Sequence, residues 1–166
     1  PEGEKRLKLT VRGGDFVDDG QNATADNRSR GIVLHDILSA VSTPEDLPAA
    51  VEAMVSSGEL PASSAGATLE MLSGMISSVA ARGWFSPAKK VYNELSIITP
   101  KGEVLRPDRV LVFENEAVVI DYKFGVRSHF HQRQVRRYMD LLSQMGFDKV
   151  KGYLRYAAEG EVVEIL

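Results

Sequence analysis

The stretch RPDRVLVFENEAVVIDYKFG, residues 106–125, governs the reading of this chain. Two β-branched and aromatic runs flank Glu114, Asn115 and Glu116, which is the pattern of a hairpin. Core strands are mostly apolar, yet this pair carries Asp108, Asp121 and Lys123. Alternate residues of a strand share a face, so Asp121 and Lys123 point one way and Ile120 and Tyr122 the other. The place of Asp108 depends on the turn. A loop of Asn115 and Glu116 alone pairs Glu114 with Ala117 and sets Asp108 opposite Lys123. A loop spanning 113–116 sets Asp108 opposite Asp121. Either register gathers the three charges on one face, with opposed Cβ atoms ~5 Å apart. An odd-length loop sends Asp108 to the other face unless a bulge restores it.

Two carboxylates a few ångströms apart do not both stay ionised without compensation. A divalent cation compensates them, and hard oxygen ligands suit Mg²⁺ or Mn²⁺. A neighbouring lysine can act on an attacking water or on developing charge. Such equipment serves phosphodiester hydrolysis. The blander alternative is a turn aspartate after Pro107 and a surface ion pair worth less than ~1 kcal/mol. On spacing alone that alternative is the better supported.

Downstream of the hairpin, a helix is expected from about Ser128 to Gly146, with Tyr138, Leu141, Leu142 and Met145 as its core stripe. Gln134 lies one turn before Tyr138 on the same face, so it needs a hydrogen-bond partner. KVKGYLRYA and EVVEIL read as two closing strands around an Ala-Glu-Gly turn. Upstream, VYNELSII, EVLRPDRVLVF and AVVIDYKF read as three strands.

The first half of the chain is helical in texture. GIVLHDILSAV has apolar residues at 34, 37, 38 and 41, with Ser29 as a candidate cap. A second helix is expected in TPEDLPAAVEAMVSSG, between Thr43 and Gly58. A third carries Leu69, Leu72, Met75, Ile76 and Val79 on one side. Residues 7–12 alternate like a strand, and Asp18–Gly31 is rich in turn formers and reads as a loop. The expected architecture is α/β: a mixed sheet covered by helices in one domain.

Composition adds exclusions. The chain has 166 residues and a net charge of -3, so it offers no general attraction for nucleic acid. It has no cysteine, which excludes a disulfide framework, a thiolate metal site and a cysteine-held iron–sulfur cluster. No signal peptide and no membrane-spanning apolar run is visible, and a cytoplasmic setting is expected. The chain opens on Pro1 with a charged, strand-like stretch, so a piece of a longer protein is expected.

Pro107-Asp108 followed by Asp121-Tyr122-Lys123 resembles the signature of the PD-(D/E)XK nucleases. Two further features sharpen the likeness. QVRRY supplies Gln134 and Tyr138 at Q-x-x-x-Y spacing, and RGIVLH places His35 on an upstream helix. The order resembles that of RecB-like nuclease domains attached to bacterial UvrD/Rep-type helicases, over about residues 28–157, with 1–27 as an N-terminal extension.

The resemblance implies a restriction-endonuclease-like fold and a Mg²⁺- or Mn²⁺-dependent DNA exonuclease acting in double-strand-break repair. It implies a cluster-free branch of the family, a helicase module in the same full-length chain, and DNA as partner. Asp108, Asp121, His35 and the Tyr122 carbonyl would hold the metal. Lys123 would serve the attacking water, and Gln134 and Tyr138 would support the site. Glu94 is an added candidate.

Basic residues near these motifs, Arg30, Arg106, Arg109, Arg127 and Arg133 with Ser128, are candidate DNA contacts. Alternatives are a phage-type or restriction-type nuclease, or a DNA-binding scaffold of the same fold. On its own, a histidine on an apolar helix is more often a satisfied boundary residue than a ligand. A glutamine at a helix end is more often solvated.

Overall fold

The computed structural model describes residues 25–87 and 90–166. The strand read at residues 7–12 and the start of the Asp18–Gly31 loop lie outside them. Three helices come first: α1 (Ala25–Ser39), α2 (Leu47–Ser56) and α3 (Ala62–Ser78). Strands β1 (Lys90–Asn93), β2 (Ile97–Ile98), β3 (Val104–Leu105), β4 (Arg109–Val112) and β5 (Glu116–Lys123) follow. Helix α4 (His129–Gln144) then leads to β6 (Lys149–Tyr156) and β7 (Glu161–Ile165).

The main sheet has the order β1-β4-β5-β6-β7. All its pairs are antiparallel except β5 with β6, which α4 joins as a parallel crossover. The sheet is therefore mixed, with helices on both faces, as expected of a restriction-endonuclease-like fold.

Position β5 is central, and residues 117–122 are buried without interruption. A strand covered on both faces reads as a continuous apolar run rather than an alternating one. Val118, Ile120 and Tyr122 pack with α1, α2 and α3 in one core, which also holds Leu34, Ile37, Leu38, Leu72 and Trp84. Ala117 and Val119 pack with Val135, Tyr138 and Leu142 of α4 in the other. Asp121 falls on the α4 side by parity, a carboxylate where the strand is otherwise apolar.

Several boundaries differ from the expectation. Helix α1 starts at Ala25, inside the stretch read as a loop, so Ser29 lies within the helix and does not cap it. The expected apolar stripe holds: Leu34, Ile37, Leu38 and Val41 are all buried. The Thr43 N–H donates to the Asp46 carboxylate at 2.9 Å, closing a short 3₁₀ turn, Pro44–Asp46, ahead of α2. Gly58, with φ +80°, ends α2 in a conformation that favours glycine.

The three strands expected before α4 are five. Glu94 has φ +50° and interrupts VYNELSII, and the segment 106–108 around Pro107 interrupts EVLRPDRVLVF. Proline has no N–H for a ladder, so the run breaks there into β3 and β4. On α4 the buried stripe is His131, Val135, Tyr138 and Leu142, while Met145 is exposed. Met145 stands past the last helical turn, where the face no longer meets the sheet.

Candidate active site

The hairpin takes the longer of the two even turns. Val112 pairs with Ala117 and Arg109 with Ile120, which leaves 113–116 as the loop. Continued by one residue, this register sets Asp108 opposite Asp121. The two carboxylates thus meet where β4 begins and β5 ends.

Each is held differently. Asp108 Oδ2 accepts the Tyr122 N–H at 2.7 Å, and Oδ1 lies 3.2 Å from His35 Nδ1 of α1. Burial opposes charge on both groups, but their mutual attraction prevails. Asp108 is held below the usual carboxylate range, and His35 is held above the usual imidazole value. His35 also stands edge-on to Phe124, with ring centroids 5.1 Å apart. The backbone is tied in as well, since the Glu94 N–H donates to the Asp108 carbonyl at 2.9 Å. Glu94 is the one non-glycine residue with positive φ among the described residues.

Asp121 is 2% exposed. Lys123 Nζ lies 2.7 Å from its Oδ2, yet this enclosed oxygen receives no bond of hydrogen-bonding geometry. The contact is an ion pair. Burial pushes Asp121 up to about 6; Lys123 pulls it down and Asp108 pushes it further up.

Lys123 Nζ also donates to Gln134 Oε1 at 2.8 Å. Gln134 Nε2 donates to the Tyr138 hydroxyl at 3.0 Å, and that hydroxyl lies 3.5 Å from the Arg106 carbonyl. A single chain of contacts therefore links the end of β5, helix α4 and the segment before Pro107. The partner required for Gln134 is the lysine.

Among the described residues, no three His, Asp or Glu side chains converge at metal-holding distance. The donor chemistry nevertheless fits a small hard cation. Two neighbouring carboxylates, one with an enclosed oxygen lacking a hydrogen bond and kept hard to ionise by burial, are relieved by a positive ion. Mg²⁺ needs only one or two protein carboxylates when phosphate and water complete its shell.

The basic residues diverge. Arg109 faces the protein interior and is 0% exposed, instead of facing a phosphate. Its guanidinium donates to the carbonyls of Val41, Ser42 and Trp84 and to Asn93 Oδ1. It fastens the α1–α2 connection to the sheet, because its parity on β4 is that of Leu111, toward α1–α3. Arg127 is paired with Glu159 and Glu161 and stacks on Tyr156. Ser128 caps α4, its Oγ accepting the Phe130 N–H at 3.3 Å. Arg30, Arg106 and Arg133 are exposed.

Sequence reading missed Tyr156, which lies beside Lys123, and its partner His131. Tyr156 pairs with Lys123 in the parallel β5–β6 register, and the Tyr156 hydroxyl meets His131 Nδ1 at 3.2 Å. Nothing local in the sequence announces that register.

A mixed sheet between helices, with two carboxylates and a lysine at the end of its central strand, is the architecture of a nuclease class. The chain matches the family model of the PD-(D/E)XK nuclease superfamily over residues 6–164 and belongs to that superfamily. Its members are generally nucleases and usually use divalent metals such as Mg²⁺ or Mn²⁺. No curated protein matches the chain.

Proposed function

We propose that this chain is a metal-dependent deoxyribonuclease domain that hydrolyses phosphodiester bonds. The observation that carries the reading is the meeting of Asp108, Asp121 and Lys123, with Lys123 held at 2.7 Å from Asp121 and 2.8 Å from Gln134. Asp108 and Asp121 would hold the cation, with the Tyr122 carbonyl beside them. A divalent cation, when bound, polarises the phosphate and offsets its charge. His35, its Nδ1 already against Asp108, steadies that carboxylate and is a candidate further ligand. Lys123 orients the attacking water and offsets charge that develops on the phosphate oxygens. Gln134 and Tyr138 keep the ammonium in place.

The finer reading is a RecB-like domain of a UvrD/Rep-type helicase–exonuclease, working on DNA ends or unwound strands in recombinational repair. It is supported by the order His35, Asp108, Asp121, Lys123, Gln134, Tyr138. It also fits an acidic net charge of -3, because a coupled helicase that delivers the strand removes the need for a broad positive field. On this reading residues 1–166 form one domain of a longer chain.

The test is degradation of end-labelled single-stranded DNA with Mn²⁺ or Mg²⁺, comparing the chain with Asp121→Ala. Cleavage that needs the metal and disappears in Asp121→Ala is expected. Equal cleavage by both proteins would remove the site assignment.

A further inference from the structure

Phe130 opens α4 and remains 45% exposed. Single exposed apolar side chains are ordinary. What distinguishes this one is its company and its position. The His129 ring lies 4.2 Å from it, centroid to centroid, at 33°. The Arg133 guanidinium lies 5.1 Å from its centroid. Val126, on the preceding loop, is 80% exposed. No acidic residue occurs from 126 to 137.

Position follows from helix periodicity. Residues 130, 134 and 138 stand at successive i, i+4 steps and form one row along α4. The row runs from exposed Phe130, through half-buried Gln134, to Tyr138 at 0% exposure. Gln134 holds Lys123. Each step is ~6 Å along the helix axis. Phe130 therefore stands one turn outside the residue that fixes the lysine, at the mouth of the site.

Aromatic rings and guanidinium planes receive nucleobases by stacking, whatever the base. In a duplex the base faces are already stacked on their neighbours, so such a platform discriminates in favour of unpaired bases. We propose that the Arg133, Phe130 and His129 stack receives an unpaired base of the strand whose phosphate enters the site of Asp108, Asp121 and Lys123. The proposal rests on the nuclease reading above.

The test uses Asp121→Asn protein, which blocks cleavage on that reading, with Mg²⁺ present. Fluorescence anisotropy follows a labelled oligothymidylate of about 15 nucleotides and an abasic strand of the same length. The base-bearing strand is expected to bind about tenfold more tightly, matching the usual worth of one stacked base. Adding Phe130→Ala should erase that difference by weakening only the base-bearing strand, and Phe130→Trp should keep it. Equal binding of the two strands, or an equal loss on both in Phe130→Ala, would overturn the proposal. If Asp121-dependent cleavage persists alongside equal binding, the stack alone fails. If the chain neither cleaves nor binds DNA, the nuclease reading fails and the stack with it.

Discussion

Asp121 is the residue at which folding and chemistry conflict. Its folded value stands near 6, against an ordinary 3.8, chiefly because burial disfavours the charged form. The folded state thus holds the proton more tightly than the unfolded chain. The stability this contributes is fully present below about 3.8 and is lost as pH rises through about 6. Asparagine has nearly the same shape and no proton to lose. In EDTA, Asp121→Asn should match the parent near pH 4 and exceed it at pH 7 by at most about 3 kcal/mol. Chemical denaturation at the two pH values measures this, and a gap that does not grow with pH would remove burial as the source of the shift. The same variant should lose cleavage, which is the usual stability–activity trade at an active site.

At the scale of elements, the site depends on how closely α4 lies on the sheet. Gly152 of β6 marks a close approach. A Cβ there would stand 2.4 Å from Met139 Sδ and 2.7 Å from Val135 Cγ1. Met139 is flexible and can move aside, but Val135 is β-branched and 0% exposed. Gly152→Ala should therefore push α4 outward and cost about 1–3 kcal/mol. Thermal unfolding should show a loss of several degrees, at about 2–4 °C per kcal/mol for a chain of this size. Since Gln134 rides on the same helix, the cleavage rate should fall at temperatures where the variant is still folded. An unchanged melting temperature would mean that α4 adapts without displacement.

The chain is acidic, with a net charge of -3, and several arginines among the described residues are committed to the protein itself. Arg109 is buried among carbonyls, while Arg127 and Arg137 are paired with glutamates. Arg30, Arg106 and Arg133 remain as the exposed candidates near the site. Each phosphate contact on a single strand contributes about −0.7 to the slope of log K against log salt. DNA binding through these residues should therefore show a shallow slope, of about −2. Titrations between low and physiological salt read it directly, and a slope several times steeper would require a basic surface beyond these residues.

The sequence by itself determined most element types and pointed to the two carboxylates and the lysine of the candidate site. Apolar periodicity marked α1 through Leu34, Ile37 and Leu38, and the β-branched runs marked β4 and β5. The spacing of Asp121 and Lys123 assigned them a common face, because side chains alternate in any strand. These are local properties, set by backbone geometry and by neighbours a few residues apart. Tertiary structure alone chose among the possible turns, pairing Val112 with Ala117 and so bringing Asp108 to Asp121. It turned Arg109 inward, set Tyr156 beside Lys123, and gave Gln134 a lysine as its partner. Those outcomes depend on strand register and on which face a helix covers. Both are decided by burial and packing between segments that lie far apart along the chain.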